Sequence, residues 1–237
     1  MSERLVPPRY TGAPELGEIE AWAHSAGLWP LMGTDEVGRG PLAGPVVAAA
    51  VVLPDDAALH GTGLLGLNDS KLLSESKRES LVPLIERLAL AWHVEPAWQQ
   101  EIAERNILGA SLAAMQRACA QVVRQLGERG HGPVALLVID GNKELRTWAH
   151  GQQVAVIKGD RRSRAVAAAA VLAKVWRDHH MAQLEEQYPG YGFAQHKGYP
   201  TADHLAALAR LGPSAVHRRD FGPVRALSGQ GQLWLDG

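Results

Sequence analysis

The sequence predicts an α/β domain in which strands and helices alternate and acidic side chains collect where strands end. Short valine-rich apolar runs, above all "PVVAAAVVLP" at 45–54, have the length and proline boundaries of strands rather than helices. Two later runs, "VALLVIDG" at 134–141 and "QQVAVIKGD" at 152–160, repeat one layout: an apolar stretch ending in an aspartate beside a glycine. Segments with leucines and alanines at helical spacing separate these runs. With 237 residues and 46% hydrophobic content, the chain can build one large domain with a full core, or one domain plus a small appendage.

Residues 1–28 read as an N-terminal extension, proline-rich at first and then helical through "PELGEIEAWAHSAG". "WPLMGTDE" at 29–36 is a strand ending in acids, and 45–54 is its neighbour across a glycine turn. A loop, "GTGLLGLNDSK", follows. Ser74 stands as N-cap of a helix through "SESKRESLVPLIERLA", despite Pro83. "LALAWHVEPA" is a third strand, and residues 97–126 form one or two amphipathic helices stopped by "GERGHG". "AVAAAAVLAKVW" at 165–176 is apolar nearly all round, as expected of a helix at the centre of a molecule. After "YPGYGFAQHKGYPT" come a helix, "ADHLAALARL", and a basic segment, "HRRDFGP". The folded unit is expected to span 29–225, with a flexible tail over 226–237. No internal repeat is present.

Lys and Arg total 24 against 25 Asp and Glu, a formal charge of -1, so no global positive field marks a nucleic-acid binder and any polyanion must be held by a local patch. Cys119 is the only cysteine, which excludes an internal disulfide framework and cysteine-based zinc sites; it reads as a buried small hydrophobe. The start, "MSERLVPPRY", lacks the apolar run of a signal peptide, and 45–54 is too short to span a bilayer. The expectation is a soluble, cytoplasmic monomer without membrane contact.

Asp35 with Glu36, Asp140 and Asp160 all stand at apparent strand ends. Side chains at such ends can converge on one crevice. Crowded carboxylates resist each other's ionisation unless a cation lies among them, and oxygen-only ligands select hard ions such as Mg²⁺ or Mn²⁺. Taken singly, each acid is as readily a turn former or helix cap. The adjacent pair Asp35 and Glu36 strains that reading, because neighbouring strand residues point to opposite faces unless the strand is ending. The glycines of "VGRG" let main chain approach a ligand, and Arg39 offers a donor fork for phosphate. Lys158, Arg161, Arg162 and Arg164 flank Asp160, while Lys71, Lys174, Arg177, Lys197, Arg218 and Arg219 sit elsewhere. Charge runs are usually solvated, but beside an acidic metal site such cations draw in a polyanion.

These motifs together resemble the bacterial ribonuclease HII (type 2 ribonuclease H) family over residues 31 to about 225. "DEVGRGPLAGPVV" at 35–47 is its long and specific signature, followed in family order by "LNDSK", "RNILGASLAAMQRA", "IDGN", "KGD", "LAKVWRD" and "YGFAQHKGYPTADH". The resemblance implies a ribonuclease H-like mixed β-sheet of about five strands flanked by helices, with a helical C-terminal portion. It implies an endonuclease that cuts the RNA strand of RNA/DNA hybrids and incises at single ribonucleotides embedded in DNA, leaving 5′-phosphate and 3′-hydroxyl ends, with a part in ribonucleotide excision, replication and repair. By motif, Asp35, Glu36, Asp140 and Asp160 are the catalytic and metal-binding quartet, with about two Mn²⁺ or Mg²⁺ ions promoting in-line hydrolysis. Gly38, Arg39 and Gly40 would read the 2′-hydroxyl, Tyr199 would stack at the ribose to deoxyribose junction, and Lys71 would contact substrate.

Leu72 stands where many relatives have a second lysine and Ala170 where a serine is common, so contacts are expected to be lost there. The arginines of "DRRSRA" are more numerous than expected and would strengthen duplex binding or be surface drift. Two other readings stay open. A type 3 ribonuclease H lacking single-ribonucleotide incision is opposed by Tyr199 and the "GRG" turn, and a silent hybrid-binding module by the presence of all four acids. His179, His180, His196, His204 and His217 have no defensible ligand spacing and are read as exposed or hydrogen-bonded. In the tail, Gln232–Leu235 ("QLWL") resembles the peptide by which replication proteins bind the sliding clamp, though docking of Trp234 on the protein's own body ranks ahead of it.

Overall fold

A computed structural model describes residues 5–9 and 12–228. Five strands among them form one mixed sheet: β1 (Leu31–Val37), β2 (Val46–Val52), β3 (Ala91–Ala97), β4 (Leu136–Asp140) and β5 (Gln152–Val156), in the order β3-β2-β1-β4-β5. β2 pairs antiparallel with β1 across a short glycine turn and with β3 through α2 and α3, whereas β1, β4 and β5 run parallel, β4 and β5 being joined by the helix-free segment 141–151. The helices are α1 (Glu18–Ser25), α2 (Asp55–His60), α3 (Glu75–Leu88), α4 (Gln99–Glu128), α5 (Arg164–Gln187), α6 (Phe193–His196), α7 (Ala202–Leu211) and α8 (Gly222–Ser228).

Period-2 alternation divides the core between the two faces of the sheet. Leu31, Val47, Ala49, Leu136 and Val138 join Ile19 and Ala23 of α1, Leu81 and Ile85 of α3, and α5 on one face. Met32, Ala48, Ala50, Leu137 and Ile139 pack against Ala114, Ala118, Cys119 and Val122 of α4 on the other. Cys119 is fully buried, and burial pushes its thiol up to about 12, so it is an inert small hydrophobe as expected. The all-apolar pattern of 165–176 is explained by α5 lying directly on β1 and β2. At Gly33 any Cβ would stand 2.3 Å from the Val166 nitrogen, so glycine sets how closely the α5 N-terminus approaches β1.

Residues 16–28 are built into this core. Glu20 of α1 is buried, and its Oε1 accepts from the Ser163 hydroxyl (2.7 Å) and the Ala165 N–H (3.0 Å), capping α5. The carbonyl of Arg162 accepts from Gly17 and Ile19.

Ser74 caps α3 by accepting from Lys77 N–H. The long 97–126 pattern is two helical pieces joined at Asn106 (φ 58, ψ 169), whose Oδ1 accepts from Leu108 and Gly109. The sequence reading missed α2, α6 and α8, each of seven residues or fewer and too short for a periodic signal. Helices α6 to α8 pack around Ala43, Met181, Phe193 and Leu42, covering the loop after β1.

Gly33→Ala should lower unfolding stability by about 3 kcal/mol, because the added methyl meets backbone that cannot yield. An unchanged denaturant midpoint would contradict the close-approach account.

Candidate active site

β1 and β4 are parallel neighbours with Thr34 opposite Ile139, so Asp35 and Asp140 leave the sheet side by side. Both lie in phase with Leu31, Leu136 and Val138, on the α5 face. Glu36 is out of phase and lines a cavity of about 150 Å³ with Arg39, Ser111, Met115, Asp140 and Lys143. The two faces meet here because β1 ends at Val37 and turns at Gly38, whose φ of 90° is the left-handed region that glycine tolerates.

Asp160 is not at a strand end. β5 stops at Val156, and Asp160 sits on a 3₁₀ turn, Gly159–Arg161, that leads into α5. Asp140 holds the turn: its Oδ1 accepts the Gly159 N–H at 2.7 Å. The α1 contacts to Arg162 and Ser163 hold its far side.

Charge crowding follows from this placement. Burial pushes the Asp35 carboxyl well above the usual range, and the charges of Asp140, Glu36 and Asp160 push it further. Burial also raises Glu36, against the opposing guanidinium of Arg39, and raises Asp140 against the N–H of Gly159. Burial, then Asp140 and Asp69, lift Asp160 to about 6. Cations answer the crowding. Arg39 donates to Glu36 Oε1 at 3.1 Å, and Lys71 Nζ stands 3.8 Å from Asp160 Oδ2. Burial opposes the charge on Lys71, but Asp160, Asp35, Asp69 and Asp140 raise its pKa. The Lys71 loop is pinned by Asp69, which accepts from Lys71 N–H and pairs with Arg161, both at 2.9 Å.

Two buried arginines grip the turn that follows β1. Arg218 donates to the carbonyls of Gly38 (2.7 Å), Arg39 (3.1 Å), Pro41 (2.8 Å) and Gly44 (2.9 Å). Arg177 donates to Pro45 (2.9 Å), Ala43 (3.1 Å) and Lys197 (2.9 Å). Burial lowers their pKa values to about 9 and about 10, and the other guanidinium adds to the shift at Arg218. Tyr199 is 40% exposed beside the turn; a Cβ on Gly40 would lie 3.6 Å from its ring.

Several basic side chains are therefore not the polyanion patch the sequence suggested. Arg177 and Arg218 are internal clamps. Arg161 pairs with Asp69, Arg162 with Glu18, and Arg164 donates to the carbonyls of Ala58 and Leu59, so "DRRSRA" staples the fold. The signal for Arg177 was available: it directly follows the apolar run 165–176, at the buried centre of α5. Arg218, inside "HRRDFGP", gave none. Of the two departures, Leu72 is exposed and Ala170 is buried in α5.

The donor set, four carboxylates with raised pKa values and two cations already drawn in, fits a hard divalent ion. Among the described residues no group of three or more His, Cys, Asp or Glu side chains is arranged to hold a metal as it stands, so binding requires the acids to turn toward a common point.

A profile of the family described as Ribonuclease HII matches residues 32–224. The chain belongs to the ribonuclease HII family. A curated Ribonuclease HII of Vibrio cholerae is 46% identical over 212 residues, 90% of this chain and 96% of the relative. Two solved structures share the fold. A PCNA:RNase HII complex from Archaeoglobus fulgidus gives a TM-score of 0.64 at 24% identity, covering 81% of this chain and 95% of the other. Bst-RNase HIII in complex with Mn²⁺ gives 0.70 at 20%, covering 89% and 73%. This ribonuclease HII is a ribonuclease H, an endonucleolytic hydrolase acting on RNA/DNA hybrids. No helix among the described residues is long and apolar enough to cross a membrane.

A raised carboxyl pKa favours the folded state while the group is protonated, so that stability is present below the unfolded value of 3.8 and is lost as pH rises through about 6 at Asp160. In metal-free protein Asp160→Asn should therefore raise stability at pH 8 by about 1–2 kcal/mol, allowing for solvent screening. The gain should vanish near pH 4. Thermal melts across this range check it, and a destabilised or indifferent variant at pH 8 would contradict the charge-crowding account.

Proposed function

We propose that this ribonuclease HII incises duplex DNA at single embedded ribonucleotides as well as cutting longer hybrids, using a divalent cation held by Asp35, Glu36, Asp140 and Asp160. The observation that carries the reading is the meeting of these crowded carboxylates with the Gly38–Arg39–Gly40 turn and the exposed Tyr199 ring. When bound, Mg²⁺ or Mn²⁺ would supply Lewis-acid charge at the scissile phosphate and at the departing 3′-oxygen. The Mn²⁺ complex of Bst-RNase HIII supports a cation of this kind.

The chain's own groups do the rest. The carboxylates have lone pairs free to turn inward once Arg39 and Lys71 move onto phosphate, and Arg39 presents a planar fork suited to two phosphate oxygens. The turn, with its carbonyls drawn inward onto Arg218, offers close main-chain approach to a 2′-hydroxyl. The flat ring of Tyr199, just beyond Gly40, offers a stacking surface for the next sugar. Water attacks phosphorus, the bond to the 3′-oxygen breaks, and the products carry 5′-phosphate and 3′-hydroxyl ends.

Asp35→Asn or Asp140→Asn should abolish cleavage while hybrid binding survives, since the amide keeps shape but removes charge; near-full activity in either would overturn the assignment. Tyr199→Ala should lower incision at a single ribonucleotide more than cutting within a long RNA tract. The deciding assay compares a duplex bearing one ribonucleotide with a long hybrid, each with Mg²⁺ and with Mn²⁺, and identifies the product ends. Failure to incise the first substrate refutes the reading.

Gln232–Leu235 and the rest of 229–237 lie outside the described residues. The PCNA complex of the A. fulgidus protein supports a clamp partner for this tail. Deleting 230–237 should abolish clamp association and leave hybrid cleavage and melting temperature unchanged. A fall in stability would point to self-docking instead.

A further inference from the structure

Beneath Tyr199 lies a set of histidines that the catalytic reading does not use. His204, in the first turn of α7, is fully buried, and His217 is 2% exposed. Their Nε2 atoms are 3.1 Å apart. At the other ends of the pair, His204 Nδ1 is 2.9 Å from the Tyr199 carbonyl, and His217 Nδ1 accepts from the Ser214 N–H at 3.0 Å, with the Ser214 hydroxyl, which then also donates, at 2.8 Å.

The backbone partners fix where the protons are. A carbonyl only accepts, so His204 Nδ1 carries hydrogen and its Nε2 is bare. A peptide nitrogen only donates, so His217 Nδ1 is bare and its Nε2 carries hydrogen, aimed at the bare Nε2 of His204. One directed chain results: Ser214 N–H to His217, His217 Nε2–H to His204, His204 Nδ1–H to Tyr199. A further proton would set two donors face to face. Consistent with this, burial, then His204, lowers His217 to about 4, and burial lowers His204. His196 stacks on His204 with ring centroids 4.3 Å apart, and Phe193 packs edge-on at 5.6 Å, so the rings have little freedom to turn.

Each end of the chain is joined to the loop after β1. His217 forms a bridge with Ala43, flanked by Gly44 N–H to Val216 (2.9 Å) and Arg218 N–H to Leu42 (2.8 Å). Next along the chain, Arg218 grips the carbonyls of Gly38 and Arg39. On the other side Leu42 N–H donates to Gly198 at 2.7 Å, one residue before Tyr199. The histidine pair thus ties the segment that clamps the turn to the peptide that carries the tyrosine.

We propose that His204, its proton placed by His217, is a positioning residue that holds Tyr199 in register with the Gly38–Gly40 turn, and so sets selectivity for a single ribonucleotide. The proposal rests on the reading of Tyr199 and the turn as substrate-binding. The histidines touch neither substrate nor metal ligands; they act through the Tyr199 peptide. A core-filling role alone would make loss of activity follow loss of stability, with both substrates affected alike.

Two variants of His204 separate the roles. His204→Asn keeps an N–H where Nδ1 stood and can still donate to Tyr199, but it loses the bond to His217. His204→Gln places its amide where Nε2 stood, keeping His217 and leaving the Tyr199 carbonyl without its side-chain donor. Measured as kcat/KM on a single embedded ribonucleotide relative to a long hybrid, the Gln variant should lose about tenfold in that ratio. The Asn variant should retain most of it, whatever the order of their melting temperatures. In a Tyr199→Ala background, His204→Gln should change the ratio no further, because there is no ring left to place. Equal ratios for Asn and Gln, a reversed order, or additive losses with Tyr199→Ala would overturn the inference while leaving the role of Tyr199 intact. If Tyr199→Ala alone leaves the ratio unchanged, the reading of Tyr199 falls and the inference with it.

Discussion

Mutual repulsion among Asp35, Glu36, Asp140 and Asp160 is the constraint around which this end of the molecule is arranged. Each is buried enough that ionisation is costly, and the charge of Asp140 makes the other three harder still to ionise. The fold tolerates this because the acids are fixed by other means. Two sit at the ends of parallel strands locked into the sheet, and a third is carried on a turn bound to Asp140 itself. The crowding is what makes the site attractive to a small hard cation, so the same repulsion that lowers stability is the source of affinity.

The second arrangement is the inward-facing guanidinium pair. A loop that must present its main chain to a ligand cannot also satisfy its carbonyls by pairing as a strand. Arg218 and Arg177 take up those carbonyls from below in six contacts, Arg177 adding a seventh to Lys197, with no carboxylate partner among them. Burying two cations this way is costly, and the lowered pKa values reflect that. What it provides is a turn whose shape is set before substrate arrives. The buried histidine pair extends the same support to Tyr199.

Much of this was legible in the sequence. The five strands were visible because valine-rich runs bounded by proline and glycine have few other uses, and the central helix because 165–176 leaves no polar face. Asp35, Glu36 and Asp140 fell where strand ends predicted. Asp160 was placed near its neighbours for the wrong local reason, since a 3₁₀ turn and a strand end look alike when an aspartate follows a glycine. Short helices gave no period to read. The arginines misled because charge in a sequence carries no depth: Arg161, Arg162, Arg164, Arg177 and Arg218 read as a basic surface, yet Arg162, Arg177 and Arg218 are buried and the half-buried Arg161 and Arg164 are bonded to groups of the fold. His204 and His217 were read as exposed or hydrogen-bonded, and they are hydrogen-bonded, but their chain joins residues far apart in sequence and only the fold brings it together.

The central claim is that the crowded carboxylates form a divalent-cation site, and calorimetric titration of Mn²⁺ into the intact protein and into Asp35→Asn and Asp140→Asn tests it most directly. The account predicts saturable binding to the intact protein, weakened at least about tenfold in each variant. Equal affinity in all three, or no binding to the intact protein, would contradict it.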